Sequence, residues 1–172
     1  HQGIFDLSYL SSIPNMTVMS PKNKWELADM LRFALDYEGP IAIRYPRGTA
    51  YDGFKDYRAP IVYGQSEAVF EEDGIVLLAV CHMFETAAAV RRALKEFGYN
   101  CTRINSRFVK PIDEKMIEKQ AQDHKLLVTI EENVAAGGFG EQVEDFVMRR
   151  NLGVKVVNIS LPDEYVEHGN VE

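Results

Sequence analysis

The sequence predicts an α/β protein whose sheet is largely parallel and covered by helices on both faces, with one antiparallel edge. Three observations support this fold class. Predicted strands alternate with predicted helices along the chain, which favours parallel strands joined by right-handed crossovers. Several of the strands are apolar throughout, as strands buried on both faces are. Finally, 46% of the 172 residues are hydrophobic, which is enough for a sizeable core.

The composition argues against several classes of function. The chain carries 26 acidic and 19 basic residues, a net charge of -7, and no basic stripe, which disfavours a nucleic-acid partner. It contains no apolar run near the roughly 18 residues of a membrane span and no signal-peptide pattern, so we expect a soluble, cytoplasmic protein without a membrane partner. Cys81 and Cys101 do not lie in a C-x-x-C or Cys/His spacing that would suggest a metal or redox site. We predict that they are reduced, mostly buried thiols.

Residues 1–48 contain a predicted strand, a helix and a second strand. Residues 16–19 are apolar and β-prone, and Asn23 with Glu26 three residues later forms a capping box that predicts a helix start. The apolar stripe of this helix comprises Leu27, Met30, Leu31 and Ala34. Gly39 and Pro40 are expected to end the helix before the second strand, at residues 41–44.

A βαβ unit of this size is too small to be stable alone. It leaves both edges of its sheet open and buries little surface. The chain also begins at His1 without a methionine, so we expect that it was cut from something longer or carries a tag remnant. Both observations indicate that neighbouring elements are missing.

A second domain is predicted at residues 61–172, after a polar, aromatic and turn-rich linker at residues 49–60. Residues 67–70 and 75–80 flank Glu72-Asp73-Gly74, which predicts an antiparallel hairpin. The second strand of the hairpin is apolar throughout and is therefore expected at the centre of the sheet.

The remaining elements of the second domain alternate between helix and strand. Strands are predicted at residues 101–105, 126–130 and 154–159, and a short helix begins at about Asp113. A helix that stops at Gly98 has an apolar stripe of Ala87, Val90, Leu94 and Phe97. The last helix has a stripe of Phe139, Val143, Phe146 and Val147. This alternation predicts a three-layer domain.

Two arginines follow the strand at residues 41–44, in the sequence Arg44-Tyr45-Pro46-Arg47-Gly48. Ligands bind beyond the carboxyl ends of strands in open parallel sheets, and a pair of guanidinium groups on a turn stiffened by proline could hold a phosphate or carboxylate. Structural or interdomain salt bridges are the alternative, and the spacing alone favours them because such ion pairs are common.

A second segment, Glu131 to Gly140, joins a strand to a helix and superficially resembles a phosphate-binding turn. Two carboxylates would face the anion, and the three-glycine spacing of a dinucleotide site is absent. We therefore interpret the glycines as allowing close packing of the helix on the sheet, with Glu131 as a candidate domain or subunit contact.

The histidines give weaker signals. His82 follows a central strand and His124 lies in a polar turn, so both are interpreted as structural or solvated. His168, near the end of the chain, is a candidate interface residue. The spacing around His1 allows no interpretation by itself.

Taken together, five motifs in register resemble the 1-deoxy-D-xylulose-5-phosphate synthase family of the transketolase superfamily. They are His1-Gln2-Gly3-Ile4-Phe5-Asp6, Ile13-Pro14-Asn15-Met16, Arg44-Tyr45-Pro46-Arg47-Gly48, the segment from Glu131 to Gly140, and Leu161-Pro162-Asp163 with Glu167-His168-Gly169. The resemblance runs from end to end of the chain. It implies that His1 to Asp6 is native sequence, that residues 1–48 end a pyrimidine-type domain, and that residues 61–172 form a transketolase C-terminal domain.

The resemblance implies an enzyme that uses thiamine diphosphate and Mg²⁺ to join decarboxylated pyruvate to D-glyceraldehyde 3-phosphate, for isoprenoid, thiamine and pyridoxal synthesis. His1 matches the family's active-site histidine, which can hydrogen-bond or pass protons to the acceptor's oxygen. Arg47 matches the arginine that holds the acceptor phosphate, and Arg44 is a weaker candidate. Cys81 stands where the family has a small glycine, which puts a close backbone approach there in doubt.

In the family, the diphosphate and Mg²⁺ are bound by an amino-terminal domain that this chain lacks, so the chain alone is expected to be inactive. The parent is expected to be a homodimer. Two alternatives stay open. One is another transketolase-superfamily enzyme, such as a transketolase or a 2-oxo acid dehydrogenase beta subunit. The other is a non-catalytic dimerisation or interaction module.

Overall fold

The computed structural model describes residues 3–167, and within that range it contains two sheets and five helices. The helices are α1 (Asp6–Ser12), α2 (Lys24–Leu35), α3 (Met83–Glu96), α4 (Glu114–Asp123) and α5 (Phe139–Arg149). The strands are β1 (Thr17–Met19), β2 (Ile41–Ile43), β3 (Glu67–Phe70), β4 (Ile75–Ala79), β5 (Cys101–Asn105), β6 (Phe108–Lys110), β7 (Leu126–Val134) and β8 (Lys155–Leu161). None of the helices in the described part is long and apolar enough to cross a membrane.

The first sheet has the order β2-β1-β6 and joins the two halves of the chain. β1 and β2 pair in parallel around α2, as the predicted βαβ unit requires. The other edge of β1, which we expected to be open, pairs antiparallel with β6 of the second half. The expectation of two open edges is therefore wrong, because a strand distant in sequence covers one of them.

Asn23 begins α2 as predicted, but the capping box is only half formed. The Asn23 side chain accepts a hydrogen bond from the Glu26 N–H at 2.9 Å. The Glu26 carboxylate, however, accepts from the Lys22 N–H at 2.6 Å and does not reach back to Asn23. Glu26 is thereby left to face the interior, where it is 2% exposed.

The apolar stripe predicted for α2 is narrower than expected. Met30 is buried against Met19 and Phe108, but Leu31 is 54% exposed. The helix ends at Leu35, before the predicted stop at Gly39 and Pro40. A three-stranded sheet offers α2 too little surface to bury a wider stripe.

The second sheet has the order β3-β5-β4-β7-β8, in which all strands except β3 are parallel. β4 lies at the centre, as predicted. The predicted hairpin between β3 and β4 is wrong, because both edges of β4 are occupied by parallel neighbours and β3 pairs antiparallel with the outer edge of β5. The antiparallel edge strand itself is present.

Helices cover both faces of the second sheet and make it a three-layer structure. Alternate residues of β4 point to opposite faces. Val76 and Leu78 join the core formed with α5, and Leu77 and Ala79 join the core formed with α3. The stripe predicted for α5 is buried, but Phe97, predicted as part of the α3 stripe, lies beyond the end of that helix and is 78% exposed.

A buried network of charged side chains lies between the two halves of the chain. It comprises Lys22 and Glu26 from the first half and Glu67, Asn105 and Arg107 from the second, each at most 7% exposed. Arg107 Nε lies 2.6 Å from a Glu26 oxygen, and Lys22 Nζ lies 2.7 Å from a Glu67 oxygen. Asn105 Nδ2 donates to Glu26 at 2.8 Å. The two cations and two carboxylates balance, which offsets the cost of burying them.

The same network holds the end of the linker. Arg107 donates to the carbonyl oxygens of Ala59 and Pro60 at 2.8 and 3.0 Å, and Glu67 accepts from the Ala59 N–H at 3.0 Å. The network therefore ties the first half, the linker and the second half to one another.

The middle of the linker is held by a buried arginine. The Arg103 guanidinium, on β5, lies 4.6 Å from the ring centre of linker residue Phe54 and 4.4 Å from that of Phe84. Burial lowers the pKa of Arg103 to about 10. Stacking of a weakly hydrated guanidinium on aromatic rings stabilises such a buried position.

We expect Arg107→Ala to destabilise the fold by about 3–5 kcal/mol, because it leaves Lys22 as the one cation of the network for two buried carboxylates. Urea unfolding of the purified protein measures the free energy of unfolding. Arg149→Ala is the matched control, since it removes an exposed arginine that pairs with Asp145 across one helical turn. Exposed pairs of this kind contribute at most about 1 kcal/mol. Equal losses for the two variants would contradict a stabilising role of the network.

Candidate functional site

The carboxyl ends of strands from both sheets meet at one place. Arg44 follows β2, Ser20 follows β1, and the Cys81-His82 turn follows β4. Ser20 Oγ donates to the Arg44 carbonyl oxygen at 2.8 Å, and the Cys81 thiol lies 4.0 Å from the same oxygen. The last residues of β7, Glu131–Val134, complete this edge, and we name them the β7 extension. Such an edge is where open parallel sheets place their ligands.

Arg44 is engaged in an ion pair that joins the two halves. Its side chain is 8% exposed, and Nη2 lies 3.1 Å from the Glu132 carboxylate and 3.3 Å from the Glu132 carbonyl oxygen. Glu132 belongs to the β7 extension. The geometry therefore favours, for Arg44, the interdomain salt bridge over direct contact with a phosphate.

Arg47 differs from Arg44 in the exposure of its side chain and in its hydrogen bonding. Its side chain is exposed, and it forms no hydrogen bond or ion pair with any residue of the described range 3–167. The turn that carries it continues through Gly48, whose positive φ of 106° suits glycine. Of the two predicted arginines, Arg47 is the one whose donors are available to an anion. The third predicted site residue, His1, lies outside the described residues, as does His168.

Glu132 also contacts His82, for which the sequence favours a structural or solvated role. His82 Nε2 lies 3.4 Å from the Glu132 carboxylate. The neighbouring Cys81 thiol and Glu132 together raise the pKa of His82 to about 9, and His82 and Arg44 lower the pKa of Glu132. The structure thus brings His82 into the same cluster as Arg44. The signal that could have shown this is the position of both residues at strand carboxyl ends.

Cys81 occupies a sharp turn between β4 and α3. Its φ is 59°, a left-handed conformation that favours glycine, and the side chain is 1% exposed. This conformation explains why a small glycine was expected there. The thiol lies against the Arg44 carbonyl oxygen of the first half, and like that of Cys101 it is buried and not part of a disulfide.

Glu131 occupies the anion position at the start of α5. Its carboxylate accepts hydrogen bonds from the N–H groups of Phe139 and Gly140, both at 2.8 Å. These N–H groups are the ones that a phosphate would use at a helix N-terminus. The segment is therefore closed to a phosphate by the protein's own carboxylate, in agreement with the structural interpretation. Glu131 is buried and bonded to α5, so the structure does not support the domain or subunit contact for which the sequence makes it a candidate.

The glycines of this segment allow the close packing that the sequence indicated. A Cβ atom on Gly138 would lie 2.7 Å from a Glu131 carboxylate oxygen. A Cβ atom on Gly140 would overlap the side chain of Asn158 on β8. Larger residues at either position would push α5 away from the sheet.

The described residues do not fit the metal and diphosphate parts of a thiamine diphosphate cofactor. Within residues 3–167, no three or more His, Cys, Asp or Glu side chains are grouped so that they could hold a metal ion. His124 is engaged elsewhere, since its ring nitrogens face the carbonyl oxygens of Gln120 and Glu72 at 3.0 and 2.9 Å. The N–H groups at the start of α5 are already bonded to Glu131.

Comparison with known families matches both halves of the chain. Residues 64–172 match the family described as "Transketolase, C-terminal domain", and residues 1–51 match "Transketolase, pyrimidine binding domain". A 1-deoxy-D-xylulose-5-phosphate synthase of Lachnoclostridium phytofermentans is 48% identical over 99% of the chain, and one of Clostridium tetani is 43% identical over 100%. The chain spans 27% and 28% of the length of these two relatives.

Solved structures show the same architecture. A structure titled "Split gene transketolase, inactive beta4 tetramer" superimposes with a TM-score of 0.89 at 25% identity, covering 95% of this chain and 54% of that one. The transketolase of Campylobacter jejuni has a TM-score of 0.59 at 16% identity, covering 85% of this chain and 26% of that one. This second likeness shows the fold alone.

Glu131 should make the stability of the protein depend on pH. Burial raises the pKa of Glu131 to about 7, although the Phe139 and Gly140 N–H groups oppose this shift. In the unfolded chain the carboxyl ionises near its ordinary pKa of 4.5, so between these values the folded state holds the extra proton. Stability from this group is therefore lost as the pH rises through that window.

We expect the stability of the protein relative to a Glu131→Gln variant to fall by about 1–3 kcal/mol between about pH 5 and about pH 8. The amide of the variant does not ionise, so the variant lacks this pH-dependent loss. Urea unfolding of both proteins across the range measures the difference. A difference that stays constant with pH would contradict the assignment.

Proposed function

Because this chain belongs to the transketolase family, we propose that it forms the carboxy-terminal part of a 1-deoxy-D-xylulose-5-phosphate synthase. The observation that carries the proposal is similarity along the whole chain, at 40–48% identity, to eight proteins that all bear that name. The exposed Arg47, in a turn that resembles the acceptor-binding turn of that family, supports it.

In this proposal the intact protein joins pyruvate, with loss of carbon dioxide, to D-glyceraldehyde 3-phosphate. It works as a cytoplasmic homodimer and feeds isoprenoid, thiamine and pyridoxal synthesis. Thiamine diphosphate supplies the electron sink for decarboxylation when it is bound. Because residues 3–167 do not fit the metal and diphosphate, the proposal assigns their binding, with Mg²⁺, to the rest of the protein.

The proposal divides the chain into three parts. Residues 1–48 end the pyrimidine-binding domain and carry the residues that meet the acceptor, residues 49–60 are the linker, and residues 61–172 are the C-terminal domain. The 172-residue chain is inactive by itself, since it supplies only the acceptor side of the site.

Within the site, Arg47 binds the acceptor phosphate. The argument is its exposure, its lack of a partner among residues 3–167, and its position just beyond the carboxyl end of β2. Arg44 forms an ion pair with Glu132, and this pair orients the backbone that leads to Arg47. His1 hydrogen-bonds or passes a proton to the acceptor's oxygen.

A transketolase subunit is the second candidate, and the likeness to the split-gene transketolase chain favours it. The two candidates use different donors, since a transketolase takes a ketose where the synthase takes pyruvate. The intact protein should therefore be assayed with each donor and glyceraldehyde 3-phosphate. Carbon dioxide release from pyruvate supports the synthase, and turnover of the ketose without carbon dioxide release would overturn it. The 172-residue chain alone should release none.

We expect Arg47→Ala in the intact enzyme to raise the KM for glyceraldehyde 3-phosphate by about 10- to 100-fold, because a charge-assisted contact contributes about 1.5–3 kcal/mol. The KM for pyruvate should be nearly unchanged. Steady-state kinetics with each substrate varied in turn measures both values.

Arg92→Ala is the matched control, since Arg92 is another exposed arginine, on α3, without a hydrogen bond or ion pair within residues 3–167. It should leave both KM values unchanged. An equal rise of both KM values in Arg47→Ala would contradict the phosphate assignment.

A further inference from the structure

The turn that carries Arg47 is fixed at its two ends. Within the described range 3–167, residues 45–50 make no hydrogen bond or ion pair. At the far end of the turn, the Tyr51 carbonyl oxygen accepts a hydrogen bond from the Lys24 N–H at 2.9 Å. At the near end, the Arg44 N–H donates to the last residue of β1 at 2.8 Å. The position of Arg47 therefore depends on how firmly Arg44 and Tyr51 are held.

The side chain of Arg44 is held by a carboxylate of the second half of the chain. Arg44 Nη2 lies 3.1 Å from Glu132 Oε2, and the Arg44 side chain is 8% exposed. The Glu132 side chain is 38% exposed. An ion pair with one partner so open to water contributes little by itself, because ordering a flexible side chain costs entropy. A second contact that orders Glu132 would strengthen its pair with Arg44.

His82 supplies this second contact. Its Nε2 lies 3.4 Å from Glu132 Oε2, the same oxygen that Arg44 contacts. Because the Cys81 thiol and Glu132 raise the pKa of His82 to about 9, the imidazole carries a positive charge at neutral pH. One carboxylate oxygen is thus placed between two cations, an arginine of the first half and a histidine of the second.

His82 lies on a rigid part of the second sheet. It follows the central strand β4 and begins α3, where its carbonyl oxygen accepts from the Glu85 N–H at 2.9 Å. The preceding residue, Cys81, is 1% exposed, and the Val80 N–H donates to the Ile130 carbonyl oxygen of β7 at 3.0 Å. A side chain on such a strand-to-helix junction has little freedom to move, so it can fix the position of its partner.

We propose that His82 is a positioning residue for the acceptor phosphate, which orders the Glu132 carboxylate against Arg44 and thereby fixes the start of the turn that carries Arg47. The inference rests on the proposed function, from which it takes the phosphate contact of Arg47 and the orienting role of the Arg44–Glu132 pair. His82 does not contact the acceptor in this proposal. It acts through Glu132.

The test uses the full-length enzyme and four variants, namely His82→Ala, Glu132→Gln, the double variant and His124→Ala. His124 is the matched control, since it is a histidine of the same half with both ring nitrogens facing carbonyl oxygens. One of these oxygens belongs to Glu72, which precedes β4, so His124 lies at the opposite edge of the sheet. The KM values for glyceraldehyde 3-phosphate, unphosphorylated glyceraldehyde and pyruvate are measured, together with the melting temperature.

His82→Ala should raise the KM for glyceraldehyde 3-phosphate by about 2- to 10-fold, because it weakens the ion pair that holds the turn without removing Arg47. The KM values for pyruvate and for unphosphorylated glyceraldehyde should not change. Glu132→Gln should cause a larger rise, and His82→Ala should add nothing in that background, because its effect passes through the missing carboxylate. His124→Ala should lower the melting temperature and leave all three KM values unchanged.

Three results would overturn the inference. One is an unchanged KM for glyceraldehyde 3-phosphate in His82→Ala. Another is a rise in KM that is equal with and without the Glu132 carboxylate, which indicates that His82 acts by another route. The third is an equal rise for glyceraldehyde with and without its phosphate, which indicates a general structural role. Failure of the proposed function is distinguishable, since the unmodified enzyme would then make no product from pyruvate and glyceraldehyde 3-phosphate.

If His82→Ala does not fold, His82→Gln tests the same contact. Its neutral amide keeps a hydrogen-bond donor for Glu132 and removes the positive charge. The KM for glyceraldehyde 3-phosphate should rise by a smaller factor, again only when the Glu132 carboxylate is present. An unchanged KM in His82→Gln would then overturn the inference.

Discussion

Two cations and two carboxylates buried between the halves of the chain set the arrangement on which the other contacts depend. Charges are rarely buried without partners. Lys22 and Glu26 pair with each other at 3.1 Å, and each also pairs with a residue of the second half, Glu67 and Arg107 respectively. These contacts favour the relative position of the two halves in which β1 pairs with β6.

The C-terminal half contributes more to the site than the family resemblance implied. Three consecutive residues of the β7 extension each contact a different part of the protein. Glu131 accepts a hydrogen bond from the Phe139 N–H at the start of α5. Glu132 forms an ion pair with Arg44, and Asn133 accepts a hydrogen bond from the Leu7 N–H of α1. In this way a strand of one domain supports two elements of the other. The proposed acceptor site consequently depends on both domains, although the proposal places the residues that meet the acceptor in the first domain alone.

The sequence predicted features that depend on neighbouring residues and missed those that depend on distant ones. The N-cap at Asn23 and the apolar strand β4 follow local patterns, and both are present. The predicted pairing of β3 with β4 was wrong, because a local pattern does not show which strand edge is free. The strand β6 and the helix α1 were missed, since each is held by partners far away in sequence. Likewise, the arginine turn was found from its residues, but Glu132, 88 positions from Arg44, decides which arginine is free.

We propose that Arg47 binds the phosphate of the acceptor at the edge where the two domains meet. The most direct measurement is the ratio of kcat/KM for glyceraldehyde 3-phosphate to that for unphosphorylated glyceraldehyde, in the intact enzyme and in Arg47→Ala. From the strength of charge-assisted contacts we expect a ratio on the order of 10–100 or more in the wild type and a large fall in the variant. A ratio that is the same in both enzymes would contradict it.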